Sequence, residues 1–162
     1  MALPIHRLEW SVHASSVANI EAIADAMSWL IGDDELVDIE MTKSFHTSPM
    51  YIITAFATKK SEARVAITRL GPVILTEVAD SLEDRIDDEN WLHLRIKLVD
   101  LVTGNLTLVS PHENVECVKG RMKLEIYPGN DVTEVAKKLL LEGSEVALRR
   151  GFPESPIKIE NE

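Results

Sequence analysis

Two short stretches of this 162-residue chain carry cationic and aromatic side chains at a spacing suited to a phosphodiester strand. Between residues 91 and 98 the apolar residues take the even positions. An extended backbone therefore projects Trp91, His93, Arg95 and Lys97 together from the opposite face. Between residues 119 and 126 the same parity sets Lys119, Arg121 and Lys123 against Met122, Leu124 and Ile126. Cations neutralise phosphates, and an indole offers a stacking surface to an unpaired base. If helices cover only one side of the sheet, both rows share the open side. Five of the seventeen basic residues then gather beside Trp91. A second basic group, Lys59, Lys60, Arg64 and Arg69, stands at the entry and first turns of an expected helix. The plainer alternative is that any open sheet face must be polar, and that alternating Lys and Arg discourage edge aggregation.

Catalytic patterns are missing. The sequence has no Gly-x-Ser-x-Gly elbow, no Walker loop, no Gly-x-Gly-x-x-Gly and no His-Glu-x-x-His. Its seven glycines are scattered, so consecutive ones cannot cradle a phosphate. The five histidines are not paired at ligand spacing, and a zinc site is not expected. The acidic runs Asp33-Asp34-Glu35 and Asp87-Asp88-Glu89 fall at turns, where carboxylates are usually solvated or capping. Cys117 reads as a small core residue of a strand rather than a nucleophile. The expectation is a non-enzyme with no catalytic residue, no cofactor and no metal.

The elements that must carry these residues follow from periodicity. Leu8, Trp10 and Val12 alternate as a half-buried strand. Ser15 and Ser16 can cap a helix over 17–31, which Gly32 ends. Strands are expected around 36–41 and 51–58, the second rich in β-branched and aromatic residues. Ser61 opens a helix that Gly71-Pro72 breaks and restarts. After the strand at 91–98, Thr103-Gly104 suggests a hairpin bend into a strand at 105–109. A strand region at 115–127 and a helix opened by Asp131 and Glu134 follow. The order β-α-β-β-α-β-β-β-α implies an α+β fold with a mainly antiparallel sheet and helices on one face. Residues 1–150 are expected to form one domain. Residues 151–162 form a tail of turn chemistry and charge, expected to be poorly ordered.

Composition sets the outer bounds. Hydrophobic residues make up 45% of the chain, enough for a core without staples. A single cysteine allows no internal disulfide, and the chain reads as cytoplasmic. No apolar stretch suits a signal peptide or a membrane span, so no membrane partner is expected. The formal net charge of -10 opposes wholesale binding to polyanions but leaves room for a local basic face.

The run Arg85-Ile86-Asp87-Asp88-Glu89-Asn90-Trp91-Leu92-His93-Leu94-Arg95 resembles an archaeal RNA-binding domain family described as predicted exosome-associated subunits. That family carries R-I-D-x-x-N-x-L-H-L-R ahead of a hairpin. Trp10-Ser11-Val12-His13-Ala14, Gly104-Asn105-Leu106 and Lys123-Leu124-Glu125-Ile126-Tyr127-Pro128 match it in order, over about residues 5–141. The resemblance implies a fold like that of the large-subunit ribosomal protein that binds 5S ribosomal RNA. It also implies RNA binding and a setting near RNA processing or the exosome. Two departures stand out. The family's G-H-x-G-N-P-like loop is here Phe45-His46-Thr47-Ser48-Pro49, which keeps the histidine and proline but loses both glycines. Its D-K-Q after the arginine is replaced, with Lys97-Leu98-Val99 following here.

The expected function is non-catalytic RNA binding through Trp91, His93, Arg95, Lys97, Lys119, Arg121 and Lys123, with a contribution from His46. RNA-processing or exosome proteins are the expected protein partners. The alternative is a diverged paralogue acting as a protein-interaction module or homodimer with little RNA affinity.

Overall fold

Alternation along the chain becomes a five-stranded antiparallel sheet in the computed structural model, which describes residues 2–15, 18–43 and 49–153. Strand β1 (Ile5–Ser15) is central, between β3 (Pro49–Ala57) and β5 (Cys117–Leu124). Strand β2 (Val37–Lys43) pairs with β3 at one edge, and β4 (Trp91–Lys97) pairs with β5 at the other. Leu8, Trp10 and Val12 of β1 are buried, as are Leu92, Leu94 and Ile96 of β4 and Val118, Met122 and Leu124 of β5. All belong to one hydrophobic cluster with the helices. Each such side chain contributes roughly 1.5–3 kcal/mol by leaving water, which commits every strand to one register.

The helices lie over that apolar face. Helix α1 (Ile20–Ile31) packs on β3, α2 (Lys60–Thr68) on β1, and α3 (Gly71–Ala79) against α5 (Val132–Arg150). Helix α1 starts later than the sequence suggests. Its cap is Asn19, whose side chain accepts from the Ala22 N–H at 3.0 Å. Gly32 ends it at φ 92°, a conformation that favours glycine. Asp131 caps α5 as expected, and Gly143 is carried inside that helix, facing Leu75.

The expected hairpin after β4 is not formed. Leu98 and Leu101, three residues apart, both turn into the core and wind the chain into a short helix, α4 (Leu98–Val102). Residues 105–109 return beside β4 without becoming a sixth strand. They contribute one isolated bridge, Ile96 with Leu108, flanked by Lys97 N–H to Thr107 O at 2.9 Å and Val109 N–H to Arg95 O at 2.8 Å. The β5 region is likewise shorter than expected, and Ile126 packs half-buried beyond its end.

No helix covers the other sheet face among the described residues. One cross-strand row on that face runs Asp38, Thr54, Ser11, Lys119, Arg95, from β2 to β4. At the β2 edge the helix side is also thinly covered, leaving Ile39 and Met41 exposed. No described helix is long and apolar enough to cross a membrane. The tail from residue 154 lies outside the described residues; before it, Phe152 packs against the core with the Arg69 guanidinium over its ring.

Candidate nucleic-acid interface

Strand parity puts the seven cationic and aromatic residues of β4 and β5 on the open face, in register. Trp91 is opposite Lys123, His93 opposite Arg121, and Arg95 opposite Lys119. Lys97 is opposite Cys117. His93, Lys119 and Arg121 are exposed, and Trp91, Arg95, Lys97 and Lys123 are half-buried. His46 lies outside the described residues.

Strand β1 supplies counter-charge that the sequence reading did not anticipate. Glu9, opposite Arg121, is buried on the open side and accepts from Arg121 Nε at 2.9 Å. It also pairs with Arg7 at 2.7 Å. The same Arg121 guanidinium lies over the Trp91 ring, 4.1 Å from its centroid, with Lys123 Nζ 5.4 Å away. Trp91 is thus already a cation–π platform within the protein. Lys123 also donates to the Glu89 carbonyl.

Two further carboxylates hold members of the rows. Asp87 accepts from the Glu89 and Trp91 N–H groups at 2.9 and 3.0 Å, and meets His93 Nε2 at 2.8 Å. Hydrogen bonding, first from His93 and then from the Trp91 backbone, pushes its pKa down to about 2. Lys97 pairs with Glu113 at 2.7 Å, and their hydrogen bond raises the lysine's pKa and lowers the glutamate's.

Arg95 and Lys119 have no ion-pair partner among the described residues. Neither does Arg85, whose guanidinium bonds the Ser81 carbonyl from Nε at 2.8 Å and the His93 carbonyl from Nη1 at 3.2 Å. These three cations line one open groove of about 730 Å³ beyond the outer side of β4. His93 and His112 stand in the same lining with the carboxylates of Asp80, Glu83 and Asp84, and Pro111 supplies exposed apolar surface. Burial, and secondarily the positive charge of Arg95, lowers the Arg85 pKa. Clustered cations without carboxylate partners make a site for an anion.

Other sequence candidates resolve differently. Lys60 and Arg64 serve the buried Glu125, at 2.5 and 3.8 Å, and Arg69 donates to the Trp29 carbonyl. Lys60, Arg64 and Arg69 therefore brace helices instead of joining the interface. Asp33 and Asp87 cap turns, and among the described residues no three His, Cys, Asp or Glu side chains gather as a metal site. Cys117 is half-buried in the open-face row of β5, not in the core, because its odd number shares the parity of Lys119. Arg85 and His112 were missed as site residues. Arg85 opens the recognised run, but only the turn through Asp87 and the return past Val109 bring Arg85 and His112 to β4.

No family model matches the chain, and no curated protein matches it. Solved structures do. A DUF54 protein from Archaeoglobus fulgidus is 26% identical, with a TM-score of 0.69 over 83% of this chain and 99% of that one. A DUF54 protein from Methanothermobacter thermautotrophicus is 20% identical, with a TM-score of 0.67 over 86% and 98%. A third, from Sulfolobus solfataricus, is 15% identical, with a TM-score of 0.60 over 84% and 98%. The structural neighbours are archaeal DUF54 proteins, and the α+β fold is common to them and to this chain.

Proposed function

We propose that this protein is a non-catalytic RNA-binding protein that holds single-stranded RNA on the β4–β5 half of its open sheet face. The observation that carries the reading is that Arg85, Arg95 and Lys119 lack ion-pair partners among the described residues and line one groove on the strand that also carries the Trp91 platform. Phosphates supply the missing negative charge, and the exposed part of the indole is available to a base. The resemblance of the 85–95 run to archaeal RNA-binding domains, with their ribosomal-protein-like fold, supports RNA over other polyanions. It also supports a cytoplasmic setting beside RNA-processing or exosome proteins. The test is a titration of labelled single-stranded RNA at two salt concentrations. Binding that weakens with salt is expected, and no binding at low salt overturns the reading.

A second reading rests on β2. Ile39 and Met41 are exposed on an edge strand whose outer hydrogen-bonding groups have no neighbouring strand among the described residues. Pairing of this edge with a second copy would make the protein a homodimeric interaction module. Sedimentation of wild type and Met41→Lys tests it; a monomer at every concentration discards it.

A further inference from the structure

The groove beside β4 is open because two flanking segments use different parts of that strand. At one end Asp87 N–H bonds Trp91 O at 3.0 Å, and His93 N–H bonds Arg85 O at 2.8 Å. At the other, Val109 and Thr107 bond Arg95 O and Lys97 N–H. Alternate residues of a strand point their backbone groups the same way, so the Arg95 N–H also faces outward. Among the described residues it meets no acceptor, and it stands where the flanking segments part.

Side chains add to this donor. Arg85 is held against the groove wall by its bonds to Ser81 and His93, which leave Nη2 without a bond among the described residues. Arg95 has one long contact, 3.4 Å to the Ser110 carbonyl. The Lys119 ammonium has no hydrogen bond or ion pair among the described residues, and Lys119 stands directly opposite Arg95. Like charges held this close are relieved by an anion, and two guanidiniums suit phosphate oxygens.

Carboxylates on the segment that carries Arg85 select the kind of anion. Asp80, Glu83 and Asp84 also line the groove, and none pairs with the cations. An internal phosphodiester must both enter and leave, and so needs two ways out of this partly acidic groove. A phosphate at a strand end needs only one exit, back along β4 toward Trp91, about 13 Å away at ~3.3 Å per residue. A phosphomonoester also carries up to two charges near neutrality, its second pKa being about 6, and so answers a three-cation cluster better than a monoanionic diester. The groove volume lies in the range that holds a small ligand, leaving room for the terminal nucleotide against Pro111 and His112.

We infer that the groove formed by Arg85, Arg95 and Lys119 is a site for a phosphomonoester, the terminal phosphate of an RNA strand. The inference rests on the RNA-binding reading and narrows it to strand ends.

The test uses the full chain and one RNA sequence in three forms: 5′-phosphorylated, 3′-phosphorylated, and hydroxyl at both ends. One phosphorylated form is expected to bind about tenfold tighter than the hydroxyl form. Lys119→Gln and Arg95→Gln should each remove most of that preference, weakening the phosphorylated form by a larger factor than the hydroxyl-ended form. Equal binding of all three forms, or a preference unchanged in both variants, overturns the inference and leaves RNA binding standing. Where no RNA form binds, the RNA reading fails, and a nucleoside monophosphate titration decides the groove separately. Saturable NMR shifts at Lys119 and Arg85 that Lys119→Gln abolishes would keep a phosphomonoester site with a free nucleotide as its ligand. Unmoved resonances would overturn it.

Discussion

Trp10 and Gly120 face each other directly across the β1–β5 pairing, and the indole fills the space a side chain at position 120 would need. A Cβ on Gly120 would lie 2.3 Å from Trp10 Cζ3 and 2.5 Å from Cε3. The ring is fully buried and cannot retreat without disturbing the core. Gly120→Ala is expected to destabilise the fold by about 1–3 kcal/mol through overpacking. Combined with Trp10→Phe, the alanine should cost less than it does alone. Urea unfolding of the four proteins in a double-mutant cycle measures this; strictly additive costs would show that the two positions do not compete for space.

The cations of the open face should not be equivalent for RNA. Arg121 is held by Glu9 and stacked on Trp91, whereas Arg95 and Lys119 have no counter-ion among the described residues. With about three phosphates engaged, log affinity should fall against log salt with a slope of about -2, from roughly -0.7 per phosphate. Lys119→Gln should reduce that slope by about 0.7, and Arg121→Gln by less. Fluorescence titrations at several salt concentrations read both, and an equal loss from the two variants would refute the ranking.

Asp87 gives the turn before β4 an acid limit. Its folded pKa of about 2 lies below the roughly 3.9 of an unfolded aspartate. A depressed carboxylate stabilises the fold above the unfolded value, and that contribution disappears as pH falls toward 2. Urea midpoints taken from about pH 5 down to about pH 2.5 should fall less steeply for Asp87→Asn than for wild type. Parallel slopes would mean that this carboxylate does not titrate with folding.

Glu125 links the sheet to α2 from a buried position. Lys60 donates to it at 2.5 Å and the Tyr127 hydroxyl at 2.8 Å, and these bonds lower its pKa while raising that of the phenol. Glu125→Gln should destabilise by about 1–3 kcal/mol, because the acceptor that Lys60 and Tyr127 share loses its charge and the ion pair is lost. It should also let the Tyr127 pKa fall back toward that of an ordinary phenol. Ultraviolet titration of tyrosinate follows this directly, and an unmoved phenol would mean that the bond is not made in solution.

The rows on β4 and β5 were legible because side-chain parity in a strand is a local property. Trp91, Arg95 and Lys119 needed only alternation to be placed on one face. Their relative freedom was not legible, since it depends on partners distant in sequence: Glu9 lies 112 residues before Arg121. The groove was hidden for the same reason, being made where segments on either side of β4 part. The turn expected at Thr103-Gly104 is made. Burial of Leu98 and Leu101 winds the chain before it into α4, so β4 does not run straight into a hairpin and 105–109 keep only one bridge to it. Helix α1 begins at Ile20 because the Asn19 side chain just before it meets the Ala22 N–H.

The row from Asp38 to Arg95 makes the open face a compass as well as a surface. Four strand spacings of ~4.8 Å separate its carboxylate end from its guanidinium end by about 19 Å. Most of the chain repels a polyanion, so an RNA strand bound as proposed would be turned before it touches, tail away from β2 and head toward β4. That torque is felt when ions are scarce. At physiological ionic strength screening sets in over about 8 Å, so each end of the row is met separately and the sense of direction fades before the attraction does.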